Sequence, residues 1–152
     1  MNRYSGYGGY DKRYVRVDRD IEKIVNEIKR AESYTKIKPD SIVTWGKTIA
    51  GKMRKVKAHQ IRRIFSEIKR LHYDYISKKR KMSTAEIKER LIFLKPLLAY
   101  AENRENKISP FCAVLEASID KISKEANENN FYRSFDRFVK LCEAVIAYHK
   151  EY

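Results

Sequence analysis

Residues 58–75 read AHQIRRIFSEIKRLHYDY, and the spacing inside this stretch decides the fold class. Ile61, Ile64, Phe65, Ile68, His72 and Tyr75 recur at intervals that gather on one side of a helix and scatter across both faces of a strand. A helix beginning near Ala58 follows, running into the basic stretch KKRK at 78–81.

The same period extends in both directions. Upstream, Asp18 or Asp20 can cap a helix carrying Ile21, Ile24, Val25 and Ile28. Asp40 or Ser41 can cap a shorter one over DSIVTWGKTIA, residues 40–50. Downstream, STAEIKERLIFLKPLLAYAENR (83–104) opens with Ser83 and Glu86 at capping-box spacing. Two apolar stripes run along it: Ile87, Leu91, Leu94 and Leu98 form one, and Phe93, Leu97 and Tyr100 the other. A helix apolar on two sides is expected at the centre of a fold, here with Pro96 kinking it midway. SPFCAVLEASIDKISKEA (109–126) offers Ser109 as cap and Pro110 as first helical residue, with Phe111, Leu115, Ile119 and Ile122 inward. After the NENN turn at 127–130, the last helix is expected to bury Phe131, Phe135, Phe138, Cys142 and Val145. No segment alternates with period two for long. The expected fold class is all-α, a compact bundle of about five or six helices with short connections. Residues 18–152 are expected to form a single helical-bundle domain, preceded by a flexible Tyr/Gly/Arg-rich tail over 1–17.

A chain of 152 residues buries a substantial core without disulfides. Its two cysteines are too few for a disulfide framework, so a reducing, cytoplasmic location is expected. No apolar run reaches the length of about 18 residues that suggests a membrane span, and MNRYSGYGGY carries no hydrophobic signal region. All five glycines lie at or before Gly51, and Gly46 and Gly51 make no phosphate-cradling loop.

The chain has 34 basic and 20 acidic side chains, a net charge of +14, which makes nucleic acid the leading class of partner. The excess is concentrated: residues 52–81 hold 12 basic and 2 acidic side chains, whereas 110–152 hold 6 and 7. Such a run argues for a binding surface over scattered solvation. On the helix from Ala58, Arg63, Glu67, Arg70 and Asp74 alternate in sign and are expected to neutralise one another. Arg62, Ser66, Lys69 and Tyr73 share that spacing without an acid, and suit phosphate contact with Tyr73 beside it. Just upstream stand Lys52, Arg54, Lys55 and Lys57, then His59 and Gln60 in the first helical turn. Cations beside a helix N-terminus conflict with local preference, which is a signal of function.

Arg54 and His59 also form an Arg-x4-His pair, the spacing used by helical ribonucleases of the HEPN type. Fourteen arginines and three histidines would give roughly 0.3 such pairs by chance, and Lys55 stands where a polar residue such as Asn, Asp or His is usual in that family. His72 falls on an apolar face and His149 close to one, and neither cysteine stands at zinc-site spacing. Asp136 and Glu143 are expected on a solvated face. No catalytic set, metal or cofactor is expected. A DNA-binding helix-turn-helix using HQIRRIFSEIKRL is a third alternative.

Three stretches together resemble the small subunit of type III-A (Csm) CRISPR interference complexes: HQIRRIFSEIK at 59–69, LKPLLAYAENR at 94–104 and FYRSFDRFVKLCEAVIAYHK at 131–150. The resemblance spans about residues 40–150. It implies a non-catalytic, RNA-binding helical subunit present in several copies. These copies would lie beside other subunits of the complex and line the groove that holds guide RNA paired with target RNA. Carried over by position, Gln60 and Arg62 match the helix start, and Arg104 matches an arginine after the kink. With these, the RNA-binding set becomes Lys52, Arg54, Lys55, Lys57, Gln60, Arg62, Lys69 and Arg104. The chain departs from its relatives at Ala58 and His59, where many have a hydroxyl residue, and at Asn103, where glycine is common.

Overall fold

A computed structural model describes residues 18–77 and 82–150. The tail expected over 1–17 and the basic run at 78–81 lie outside the described residues, as do 151–152. The helices are α1 (Arg19–Arg30), α2 (Pro39–Gly51), α3 (Ala58–Ile76), α4 (Thr84–Ile92), α5 (Lys95–Arg104), α6 (Ser109–Ser123) and α7 (Glu128–Tyr148). Single-turn 3-10 helices occupy Tyr34–Lys36 and Asn106–Ile108, and no strand occurs among the described residues. Counting α4 and α5 as one broken rod gives six helices among the described residues, in keeping with the all-α bundle of about five or six expected from periodicity.

Local chemistry explains most boundaries. The Asp18 carboxylate accepts from the Ile21 N–H at 3.1 Å and caps α1, whose first turn is acidic and last turn basic, as the helix dipole favours. Ser83 and Glu86 form the expected capping box on α4, each side chain accepting from the other residue's N–H at 3.1 Å. Two starts differ from expectation. α2 begins at Pro39 with Lys38 as N-cap, because proline's fixed φ and missing N–H suit the first helical position; Asp40 lies inside the first turn. α6 begins at Ser109, since Ile108 is already in the right-handed helical region and the preceding 3-10 turn runs straight into the helix. Buried Ser109 therefore does not cap, and its hydroxyl donates to Glu102 at 2.5 Å.

The break between α4 and α5 falls at Phe93 and Leu94, with Pro96 the second residue of α5. Pro96 has no N–H to give the Ile92 carbonyl four residues back, so the first rod stops there. The first apolar stripe is turned inward, with Ile87 and Leu91 fully buried. The second is not core: Phe93 is 69% exposed and Tyr100 57%. The central helix is instead α6, where eleven of fifteen residues are buried, including all four inward positions expected for it. α6 can take this place because it is flanked by α1, α4, α5 and α7.

α7 packs most extensively on α2 and also lies against α3. Gly46 permits the first contact: a Cβ there would fall onto the Ala144 Cβ and within 3.1 Å of the Ala144 carbonyl carbon. Phe131, Phe135 and Phe138 are fully buried, and Tyr75 of α3 stacks on Phe135 with ring centroids 6.1 Å apart. Cations of the later helices fasten this core. Lys121 donates to the carbonyls of Lys29 and Ala31 at 2.8 Å, closing the end of α1. Lys88 donates to the Glu125 carbonyl and Arg137 to that of Ile37.

Candidate nucleic-acid interface

The turn between α2 and α3 is held from beneath. Met53 and Val56 are buried in the core, the Val56 N–H donates to the Met53 carbonyl at 2.9 Å, and His149 Nε2 lies 2.9 Å from that same carbonyl. With these two residues anchored, Lys52, Arg54, Lys55 and Lys57 are exposed. Lys57 is the N-cap of α3 and its side chain makes no capping bond. Gln60 supplies the local substitute, its side-chain oxygen accepting from the Lys57 N–H at 3.2 Å. The turn thus keeps its geometry without a side-chain cap from Lys57 itself.

The individual cations differ in their partners. Lys52 lies 3.0 Å from Asp20 and 3.3 Å from Asp18, and these carboxylates, Asp20 foremost, raise its pKa. It therefore ties the end of α2 to the start of α1. Arg62, Ser66, Lys69 and Tyr73 form an exposed ridge on α3, as their spacing predicts. That ridge carries no acid of its own, yet packing brings Glu143 of α7 to 3.3 Å from Lys69, whose ammonium also lies 5.7 Å from the Phe65 ring centre. The companion ridge is only partly self-neutralised. Arg70 meets Glu67 at 3.4 Å, but Asp74 is buried and faces Arg90 of α4 at 3.6 Å. Among the described residues, Arg63 forms no ion pair.

Arg63 instead borders a cleft of about 250 Å³ between the start of α3 and α5. Its apolar lining comes from Ile64, Leu97, Ala101 and Ile108, and its polar lining from His59, Gln60, Arg63, Tyr100, Arg104 and Glu105. Two residues carried over from widely separated stretches, Gln60 and Arg104, are brought together here. Arg104 donates to the Tyr100 hydroxyl at 3.1 Å and its guanidinium carbon lies 5.6 Å from the centre of that ring. Sequence reading assigned Tyr100 to the core and Arg63 to a neutralised ridge. The signal for Tyr100 was its position four residues before Arg104, which puts the two on one helical face. His59 lines this cleft and Arg54 does not.

A larger depression of about 570 Å³ lies between α2 and α7. Its charges balance, with Asp136 and Glu143 offsetting Arg137 and Lys140, so it has no preference for an anion.

The remaining histidines and cysteines have structural settings. Neither Cys112 nor Cys142 is in a disulfide, both are buried, and burial pushes the Cys142 thiol pKa well up, making it a poor nucleophile. Among the described residues, no group of three or more His, Cys, Asp or Glu could hold a metal ion, and no helix is long and apolar enough to cross a membrane. Asp136 and Glu143, expected on a solvated face, are half-buried where α7 meets α3.

His72 sits at that junction, packed edge-on to Phe135 at 5.0 Å. Its Nε2 is buried without a hydrogen bond, because Asp136 at 3.8 Å is too distant to accept one. Burial lowers its pKa; Asp136 and Glu143 oppose the shift, while Lys69 and Lys140 reinforce it. A histidine depressed in the folded state binds fewer protons than in the unfolded chain. Its contribution to stability is therefore full above the unfolded pKa of about 6.5 and is lost as pH falls through it towards the folded pKa. Urea unfolding at pH 7.5 and 5.5 should show His72→Phe gaining on the wild type as pH falls. A difference that does not change with pH would remove His72 as a source of acid sensitivity.

Fold and surface together define a class: a basic all-helical protein with a cationic turn anchored on a hydrophobic bundle. Residues 35–152 match the Csm2 Type III-A family, and the chain belongs to it, the family of small subunits of the type III-A (Csm) CRISPR complex. No curated protein and no solved structure matches the chain.

Proposed function

We propose that this protein is a non-catalytic, RNA-binding subunit that grips RNA backbone within the type III-A complex. The observation that carries this is the 52–57 turn, where buried Met53 and Val56 hold a short segment whose other side chains are exposed cations. Preordered cations lose little conformational freedom on meeting phosphate. Arg54, Lys55, Lys57 and Arg62 form the main contact, with Arg104 and Gln60 beside them. Lys52 and Lys69 contribute by exchanging their solvent-accessible carboxylate partners for phosphates, an exchange of weak pairs near the surface. The RNA is guide paired with target, held without regard to sequence because base pairing supplies specificity. Other subunits, including further copies of this chain, are the protein neighbours, and the assembly works in the cytoplasm. Arg54 acts here as a backbone contact, and its spacing to His59 is incidental to the function.

Fluorescence anisotropy with labelled single-stranded RNA and duplex DNA of matched length, repeated across salt concentrations, tests this. RNA of differing sequence should bind with similar affinity, falling with salt at a slope of about 0.7 per contacted phosphate. Tight, salt-resistant binding of duplex DNA would overturn the proposal in favour of a transcription factor. Metal-independent RNA cleavage lost in His59→Ala would overturn it in favour of a ribonuclease.

A further inference from the structure

We propose that the cleft between the start of α3 and α5 receives one unstacked RNA base, with Tyr100 as its stacking platform and Arg63 and Arg104 on the flanking phosphates. This rests on the RNA-binding function above and adds a subsite for the base itself.

The lining of the cleft selects the ligand. At about 250 Å³ it is smaller than the roughly 300–1,000 Å³ of pockets that enclose drug-sized molecules, so it suits a single ring system. Its apolar side, built from Ile64, Leu97, Ala101 and Ile108, would repel a bare phosphate and accept the face of a planar base. Its polar side carries Arg63 and Arg104 against the one carboxylate of Glu105, which already accepts from the Lys107 N–H at 3.0 Å. An apolar floor beside a cationic rim matches a base joined to phosphates better than an uncharged ring or an acidic side chain.

Tyr100 provides the second line of argument. Tyr100 is 57% exposed and lines the cleft, so its ring is accessible to a ligand seated there. Its contact with Arg104 holds ring and guanidinium together before any ligand arrives, the pairing found where bases stack on aromatic side chains and phosphates meet arginine. The Gln60 side-chain oxygen accepts from the Lys57 N–H, which leaves its NH2 group as a donor for the edge of the base. Because stacking uses the face common to all bases, the subsite tolerates sequence, as the rest of the surface must.

The experiment uses the full chain and single-stranded RNA containing 5-iodouridine, which on long-wavelength irradiation couples to an aromatic ring stacked against it. The crosslink should map to Tyr100 and vanish in Tyr100→Ala. That variant should bind RNA about tenfold more weakly with an unchanged salt slope, since stacking involves no counterion. Tyr100→Phe should stay within about twofold of the wild type, and Arg63→Ala should lower the slope by about 0.7. Tyr100 is exposed, so thermal melting of each variant should match the wild type. Tyr100→Ala binding like the wild type, with crosslinks elsewhere, would overturn the subsite while leaving the phosphate-gripping turn intact. Absence of RNA binding by the wild type would overturn both.

Discussion

Lys55→Glu combined with Lys57→Glu is expected to weaken binding of single-stranded RNA about a hundredfold at 0.1 M salt without destabilising the protein. Both side chains are exposed on the turn whose geometry depends on Met53, Val56 and the Lys57 backbone. Neither ammonium forms an ion pair among the described residues. Two attractions are lost and two repulsions gained, each up to about 1 kcal/mol at an exposed site, and together they approach 3 kcal/mol. The salt slope should fall by about 1.4 as two phosphate contacts disappear. Stability should hold or rise, because a carboxylate at the N-cap of α3 suits the helix dipole by about 0.3–1 kcal/mol where lysine does not. Anisotropy titrations alongside thermal melting separate the two effects. An affinity within about threefold of the wild type would move the RNA surface away from this turn.

Phe135→Ala is expected to be the most destabilising of these substitutions, by about 3–5 kcal/mol in urea unfolding. The side chain is fully buried and its ring meets His72 at 5.0 Å, Tyr75 at 6.1 Å, Phe131 at 5.9 Å and Phe138 at 6.4 Å. Truncation removes apolar area and leaves a cavity among rings drawn from α3 and α7, whose backbones cannot collapse onto it without separating from other partners. Against a typical total of about 5–15 kcal/mol the variant remains folded in buffer, with a lowered midpoint and a similar dependence on urea. Phe93→Ala provides the matched control: the same residue type, 69% exposed at the α4–α5 break, should change stability by no more than about 0.5 kcal/mol. Equal losses at the two positions would show that the assignment of the core is wrong.

These two phenylalanines also mark the limit of sequence reading. Each stands in a run with helical period, and period alone turned both inward. Phe135 lies in a stripe with one apolar side, so only that side can be buried. Residues 83–104 offered two stripes, and the choice between them depended on where α6 packs. Similarly, Asp74 was expected among the solvated charges of α3, and the approach of α4 with Arg90 buried it.

Sequence by itself determined the all-α class, the inward stripes of α1, α3, α6 and α7, the Ser83–Glu86 box and the concentration of positive charge near residues 52–63. Those properties depend on neighbours within about a turn of helix and on the period at which side chains return to one face. Tertiary structure decided that Lys69 meets Glu143, 74 residues away, and that α6 replaces the rod of α4 and α5 at the centre. It also brought Arg63 and Gln60 to the same cleft as Tyr100 and Arg104. Such pairings depend on which helices pack together, and a helical period carries no record of the partner that will cover it.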